Sequence, residues 1–176
     1  MVTSVSSVDG PVAHYLSTGE VDGAIFFQLH KDALVRKLAK SGLPIVITGS
    51  PHAATDFVFV DTDNFGGGKE AGVAMIEALG AQGGKVGVLD LKQVESCILR
   101  VKGFKEVLAE HNAKSPAKIE IVSELDGGGA KDKGYKAAED MLQAHPDMVG
   151  IFAITGEQGR LYRSLENRHR HPRRPA

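Results

Sequence analysis

The sequence predicts an α/β fold built on parallel sheets, and three observations carry that prediction. Short apolar runs rich in β-branched and aromatic residues alternate with amphipathic segments of helical period along most of the 176 residues. The apolar runs are continuous rather than alternating, as expected of strands buried on both faces. Turn residues punctuate the stretch 57–79, FVFVDTDNFGGGKEAGVAMIEAL, where a strand ends in Asp61-Thr62-Asp63-Asn64 and three glycines open a helix. That stretch reads as a crossing point between two α/β lobes rather than as a catalytic motif.

Taken in chain order, residues 2–7 fit a strand and 11–18 a short helix. Strands follow at 23–27 (GAIFF), 44–48 (PIVIT), 57–61 (FVFVD), 85–90 (KVGVLD), 119–123 (IEIVS) and 149–154 (VGIFAI). The segment 32–41 places Leu34, Val35, Leu38 and Ala39 on one helical face and stops at Gly42, ahead of Pro44. Two strands within 44–61 are joined by SPHAATD with no helix between them. Asp63 or Asn64 suits the N-cap of the next helix, because a short side-chain oxygen accepts from an orphan amide of the first turn. Gly66, Gly67 and Gly68 then let that turn approach a neighbouring strand or a ligand. Residues 101–111 pair Phe104 with Val107 and Leu108, and 130–144 group Tyr135, Ala138, Met141 and Leu142 before stopping at His145-Pro146.

A hydrophobic content of 42% is enough for a buried core. The formal charge of −1 and pI near 6.7 give no global reason to expect nucleic acid or an anionic membrane as partner. The one cysteine, Cys97, excludes an internal disulfide and reads as a buried structural thiol. No apolar run reaches the roughly 18 residues that span a bilayer, and the first residues lack the basic head and apolar centre of a signal peptide. Residues 159–176 hold six arginines and no lysine, whereas all residues before them hold thirteen lysines and only Arg36 and Arg100. Such a switch is expected of a segment foreign to, or out of frame with, the rest; its alternative is a basic arm for nucleic acid.

The run Gly66-Gly67-Gly68-Lys69-Glu70-Ala71 matches the G-x-G-x-x-A dinucleotide pattern, with Asp90 ending the next strand. Against it, Thr62 to Phe65 separate the strand from the glycines, which moves the helix start away from the strand end where a pyrophosphate binds. A phosphate-binding P-loop, a nucleophile elbow and a zinc-protease motif are all missing from the sequence. Arg100 stands out as one of two arginines before the tail, just ahead of the 101–111 helix and beyond a strand end, where a planar fork can grip two vicinal hydroxyls.

In this order, VDGAIFF, SGLPIVIT, FVFVDTDNFGGGKEAG, KVGVLD, RVKGFKEVLAEH and KAAEDMLQAHPDMVGIFAI resemble the periplasmic sugar-binding proteins of the ribose-binding type and the similar ligand domain of lac-repressor-type regulators. The resemblance covers residues 21–154. It implies two Rossmann-like lobes with parallel sheets flanked by helices, joined by three crossings, with a small sugar (pentose or hexose) clamped between them. It implies no enzyme activity, no cofactor, an ABC permease as partner, no nucleic acid, and a periplasmic location for the parent family. Position by position, Arg100 corresponds to the arginine that hydrogen-bonds the sugar, and Asp63 and Asn64 to the first hinge crossing. Ser50 follows Gly49 where the family often has Asp-Arg, and Thr155 precedes Gly156 where it has Asn-Asp, so both are ligand positions by correspondence. The aromatic expected near Gly129 has no counterpart.

The expected domains are a partial first lobe over 1–62, a partial second lobe over 63–156, and an atypical Arg-rich tail over 157–176. The fold is expected to be incomplete at both ends, sugar binding by the 176 residues alone to be weak or absent, and strand 149–154 to be left uncovered, favouring a homodimer through exposed apolar surface. The function expected is that of the solute-binding component of an ABC-type sugar importer. Its alternatives are the effector-binding domain of a repressor and a fragment of an NAD-linked enzyme.

Overall fold

The computed structural model describes residues 21–27, 36, 38–49 and 57–155, which belong to two units, Met1–Thr62 and Asp63–Ala176, each with its own parallel sheet. In the first unit, strands β1 (Ala24–Phe27), β2 (Ile45–Thr48) and β3 (Val58–Val60) lie side by side in that order. Ile45 and Ile47 of β2 are buried with Leu38, and Phe26, Phe57 and Phe59 pack on them. Register sets Ile25, Val46 and Val58 in one row on the opposite face, where Ile25 and Val58 are exposed. Arg36, Leu38 and Ala39 are helical, but Ala39 is exposed and does not share the inward face of Leu38. The expected strand 2–7, helix 11–18, the rest of 32–37, the 50–56 connection and everything from 156 on lie outside the described residues.

The second unit is a three-layer sandwich. Its sheet has the order β5-β4-β6, with β4 (Gly84–Asp90) between β5 (Ile119–Asp126) and β6 (Met148–Ala153). Helices α1 (Asn64–Leu79) and α2 (Glu95–Lys114) cover one face, where Val86 and Val88 meet Val101, Phe104 and Leu108. Helix α3 (Lys131–Ala144) covers the other, where Leu89 and Ile151 meet Ala137, Ala138 and Met141. Burial on both sides is the reason the β4 sequence is continuously apolar. From β4 the chain runs through α2 to β5 and then through α3 back past β4 to β6, so strand order reverses between β4 and β6.

Three expectations change here. Helix α2 begins at Glu95, not at Val101, so Arg100 stands in its second turn. The early start leaves no sequence sign because Val94 occupies the N-cap without a side-chain hydrogen bond. Gly68 and Gly72 of α1 approach a helix rather than a strand, whereas a Cβ on Gly67 would meet nothing within 4 Å and one on Gly66 the Asp63 carboxylate. A Cβ on Gly68 would run into the backbone carbonyl of Arg100, one on Gly103 into that of Phe65, and one on Gly72 would press on Val107. Finally, strand β6 is not left uncovered: Met148, Gly150, Ile151 and Ile154 are buried, with Phe152 stacked on Phe104 and Val149 exposed. Within the described sheet, a dimer through this strand is left with its edge rather than an open face.

Across the α2 to β5 side, Lys105 Nζ lies 2.5 Å and Lys92 Nζ 3.6 Å from the Glu124 carboxylate. The Lys105 hydrogen bond, opposed by partial burial and helped by both lysine charges, holds this carboxyl below the usual glutamate range. A lowered folded-state pKa contributes stability above the unfolded value of about 4.3, and the contribution is lost as pH falls through the folded value. Glu124→Gln is therefore expected to cost under about 1 kcal/mol at pH 7, the ceiling for a solvated pair. The deficit relative to the parent should shrink as pH drops below about 4. Urea titrations at pH 7 and pH 3 measure it, and an equal deficit at both would remove the charge from the account.

Candidate functional site

Helix α1 starts where the two units divide. Asp63 is its N-cap, its Oδ1 accepting from the Gly66 amide at 2.7 Å. Asn64, the other candidate cap, is instead the first helical residue and is only 3% exposed. Its Oδ1 accepts from Nε of Arg100 at 2.9 Å. Nη1 of Arg100 donates to the carbonyl of Ile154 at 3.0 Å, and the Ile154 amide donates to the Leu89 carbonyl at 3.3 Å. One guanidinium thus ties the start of α1 to the carboxyl ends of β4 and β6. Open α/β sheets take their ligands at such a reversal of strand order. Arginine has five N–H donors, more than these two acceptors use.

Asp90 ends β4 at the same place and is 4% exposed. Alternation along the strand puts its side chain on the face of Val86 and Val88, the face that α2 covers. Its Oδ1 accepts from the Leu91 amide at 2.6 Å, and its carbonyl accepts from the Gly127 amide at 2.9 Å. The register partner Asp126 is better supplied. The Gln93 side chain and the Gly128 amide donate to it, and they hold its carboxyl below the usual range. The pKa of the Cys97 thiol is raised: burial pushes it up, Arg100 and the Ser96 hydroxyl pull it down, and Asp90 pushes it up again. A buried thiol with a raised pKa is a poor nucleophile.

Of the sequence-predicted positions, Arg100, Asn64 and Thr155 come together at the β6 end, Thr155 directly following the carbonyl that Arg100 holds. Asp63 caps the adjoining helix, and Ser50 lies outside the described residues. The dinucleotide-like glycines have other employment. Gly68 abuts the Arg100 backbone and Gly66 donates to Asp63, so two of the three are engaged by the protein's own groups. Sequence reasoning missed two features: Asn64 as the anchor of Arg100, and Asp90 as a buried acid. For Asp90 the signal was present, since an ionisable residue closes a strand that is otherwise apolar from Val86 to Leu89.

The family model described as periplasmic binding protein domain matches residues 12–175. The HTH-type transcriptional regulator CelR of Thermobifida fusca is 26% identical over 148 residues, covering 82% of this chain and 42% of the regulator. The D-apiose import binding protein of Paraburkholderia graminis is 25% identical over 121 residues, covering 68% of this chain and 37% of that protein. Among solved structures, a periplasmic solute-binding protein of an ABC transporter from Actinobacillus succinogenes 130z, with bound D-allose, superposes with a TM-score of 0.78 at 25% identity, covering 91% of this chain and 59% of its own. The chain therefore spans less than half the length of the curated relatives it matches. With a family match across most of its length and an α/β fold of parallel sheets flanked by helices, the chain belongs to the periplasmic binding protein domain family.

Proposed function

We propose that this chain supplies sugar-contacting residues of the solute-binding component of an ABC-type importer, a protein that binds a small neutral sugar outside the cytoplasmic membrane without covalent chemistry. The observation that carries the reading is the Arg100 guanidinium at the β4/β6 reversal, held by Asn64 and Ile154 with donors that no other described residue takes. Relatives described as a D-apiose import binding protein and as a solute-binding protein with bound D-allose support the solute class. In this reading Arg100, Thr155 and Ser50 contact the solute. Asp63 and Asn64 form the first hinge, and lobe closure reports occupancy to a permease.

Arg100→Lys, made in a parent restored to the full length of the relatives, is the test. Losing a charged, forked hydrogen bond is expected to weaken binding by about 1–3 kcal/mol, because lysine offers a point charge without the planar geometry. Calorimetry against D-ribose, D-arabinose and D-allose reads this, and unchanged affinity would return Arg100 to a purely structural role. The CelR match, which covers more of this chain than the transport relative does, favours a second reading as the effector domain of a repressor. Gene neighbourhood separates the two, since permease genes favour import and a DNA-binding segment in the same reading frame favours regulation.

A further inference from the structure

Asp90 combines three properties that a turn residue does not need together. It is almost fully buried, it is ionisable, and among the described residues only the Leu91 amide donates to its carboxylate, leaving the second oxygen without a donor. Removing a carboxylate from water is costly unless several donors meet it. A turn-forming role would be served equally by asparagine, whose amide oxygen also accepts from the following backbone. Its direct register partner on β5 shows what a satisfied aspartate looks like: Asp126 takes both Gln93 and Gly128. Nor is Asp90 neutralised by the guanidinium on its own face, since among the described residues Arg100 and Asp90 form no ion pair and Arg100 turns to Asn64 and Ile154.

We propose that Asp90 is a second solute-binding residue, accepting a hydroxyl hydrogen of the sugar while Arg100 donates to an oxygen beside it, and that it restricts the solute to neutral sugars against sugar acids. This rests on the sugar-binding reading above. A hydroxyl both donates and accepts, so one donor fork and one acceptor at the same strand ends match two neighbouring hydroxyls. The carboxylate is already out of water before the solute arrives, so the new bond forms without further desolvation of the protein. A solute carboxylate at the same position would meet a like charge in a dry site.

The variant Asp90→Asn keeps the size and the acceptor for Leu91 but removes the charge. Ligand-observed NMR titrations of the full chain with D-ribose, D-allose and D-glucuronate are expected to show neutral sugars weakened about tenfold, since charge-assisted bonds are roughly twice as strong as neutral ones. The preference over D-glucuronate should narrow at the same time. Urea unfolding gives an independent arm, in which the midpoint of the variant is expected to rise because an under-satisfied buried charge is gone. Equal sugar affinity in the two proteins overturns the proposal, as does a lower midpoint, which would assign the carboxylate to the turn. Absence of binding by the parent chain is a result also expected of these residues alone and leaves the sugar-binding reading standing. The midpoint then decides Asp90 separately, a rise keeping it as a ligand group and a fall removing it.

Discussion

Phe104→Ala is expected to lower the stability of the second unit by about 3–5 kcal/mol. The ring is fully buried between α1, α2 and the sheet, and it stacks on Phe152 with centroids 4.3 Å apart and planes 15° from parallel. Removing it deletes the transfer free energy of an aromatic side chain and leaves a void bounded by Val86, Val88, Val101 and Leu108, residues of one helix and a central strand that cannot all move inward. Against a typical domain stability of 5–15 kcal/mol this is a large fraction of the whole. Urea denaturation followed by far-UV circular dichroism measures it. Val73→Ala on the exposed side of α1 serves as the control, expected within about 0.5 kcal/mol of the parent. A loss under about 1 kcal/mol at Phe104 would mean that the core collapses freely onto the vacancy.

The second large effect changes sign within three residues. Helix propensity alone says that Gly67→Ala and Gly68→Ala each stabilise α1 by up to about 1 kcal/mol. Gly67 faces open space, with no atom within 4 Å of an added Cβ, so propensity should prevail there. At Gly68 the added carbon would overlap the Arg100 carbonyl, a backbone atom fixed in α2, and the two helices must separate or bend. Overpacking of this kind costs about 1–3 kcal/mol or more, which exceeds the propensity gain. Gly67→Ala is expected to raise the unfolding midpoint and Gly68→Ala to lower it, with Arg100 displaced from Asn64 in the latter. Two shifts of the same sign would refute the packing account of the glycine triplet.

These glycines also show what a sequence discloses and what it withholds. The six described strands were legible as short apolar runs rich in β-branched residues, although β4 is buried on both faces while Ile25, Val58 and Val60 are exposed, and the Phe104 and Leu108 face of α2 was legible from its spacing. The start of α2 was not, because Val94 carries no capping side chain and nothing local marks the boundary. That the glycines allowed a close approach could be read; that only Gly68 of the three meets another helix could not, since its partner lies more than thirty residues away along the chain. Arg100 drew attention through its rarity and its place beyond a strand. Asn64 did not, because a short polar residue before a helix reads as a cap, and only the fold shows that Asp63 takes that task and frees Asn64 for the guanidinium. Asp90 was visible as a strand-ending acid, but its burial depends on α2 arriving above it.

The contact between α1 and α2 has a consequence for how the sequence can drift over generations. Gly68 faces the backbone of Arg100, and Gly103 faces the backbone of Phe65, so neither glycine confronts the other's missing side chain. A cavity opposite a large residue can be refilled by a compensating change, but a main-chain carbonyl is the same whatever residue carries it. Positions 68 and 103 therefore have no partner with which to co-vary. Each is expected to stay glycine independently, and a double substitution is expected to be no better tolerated than the sum of the two singles.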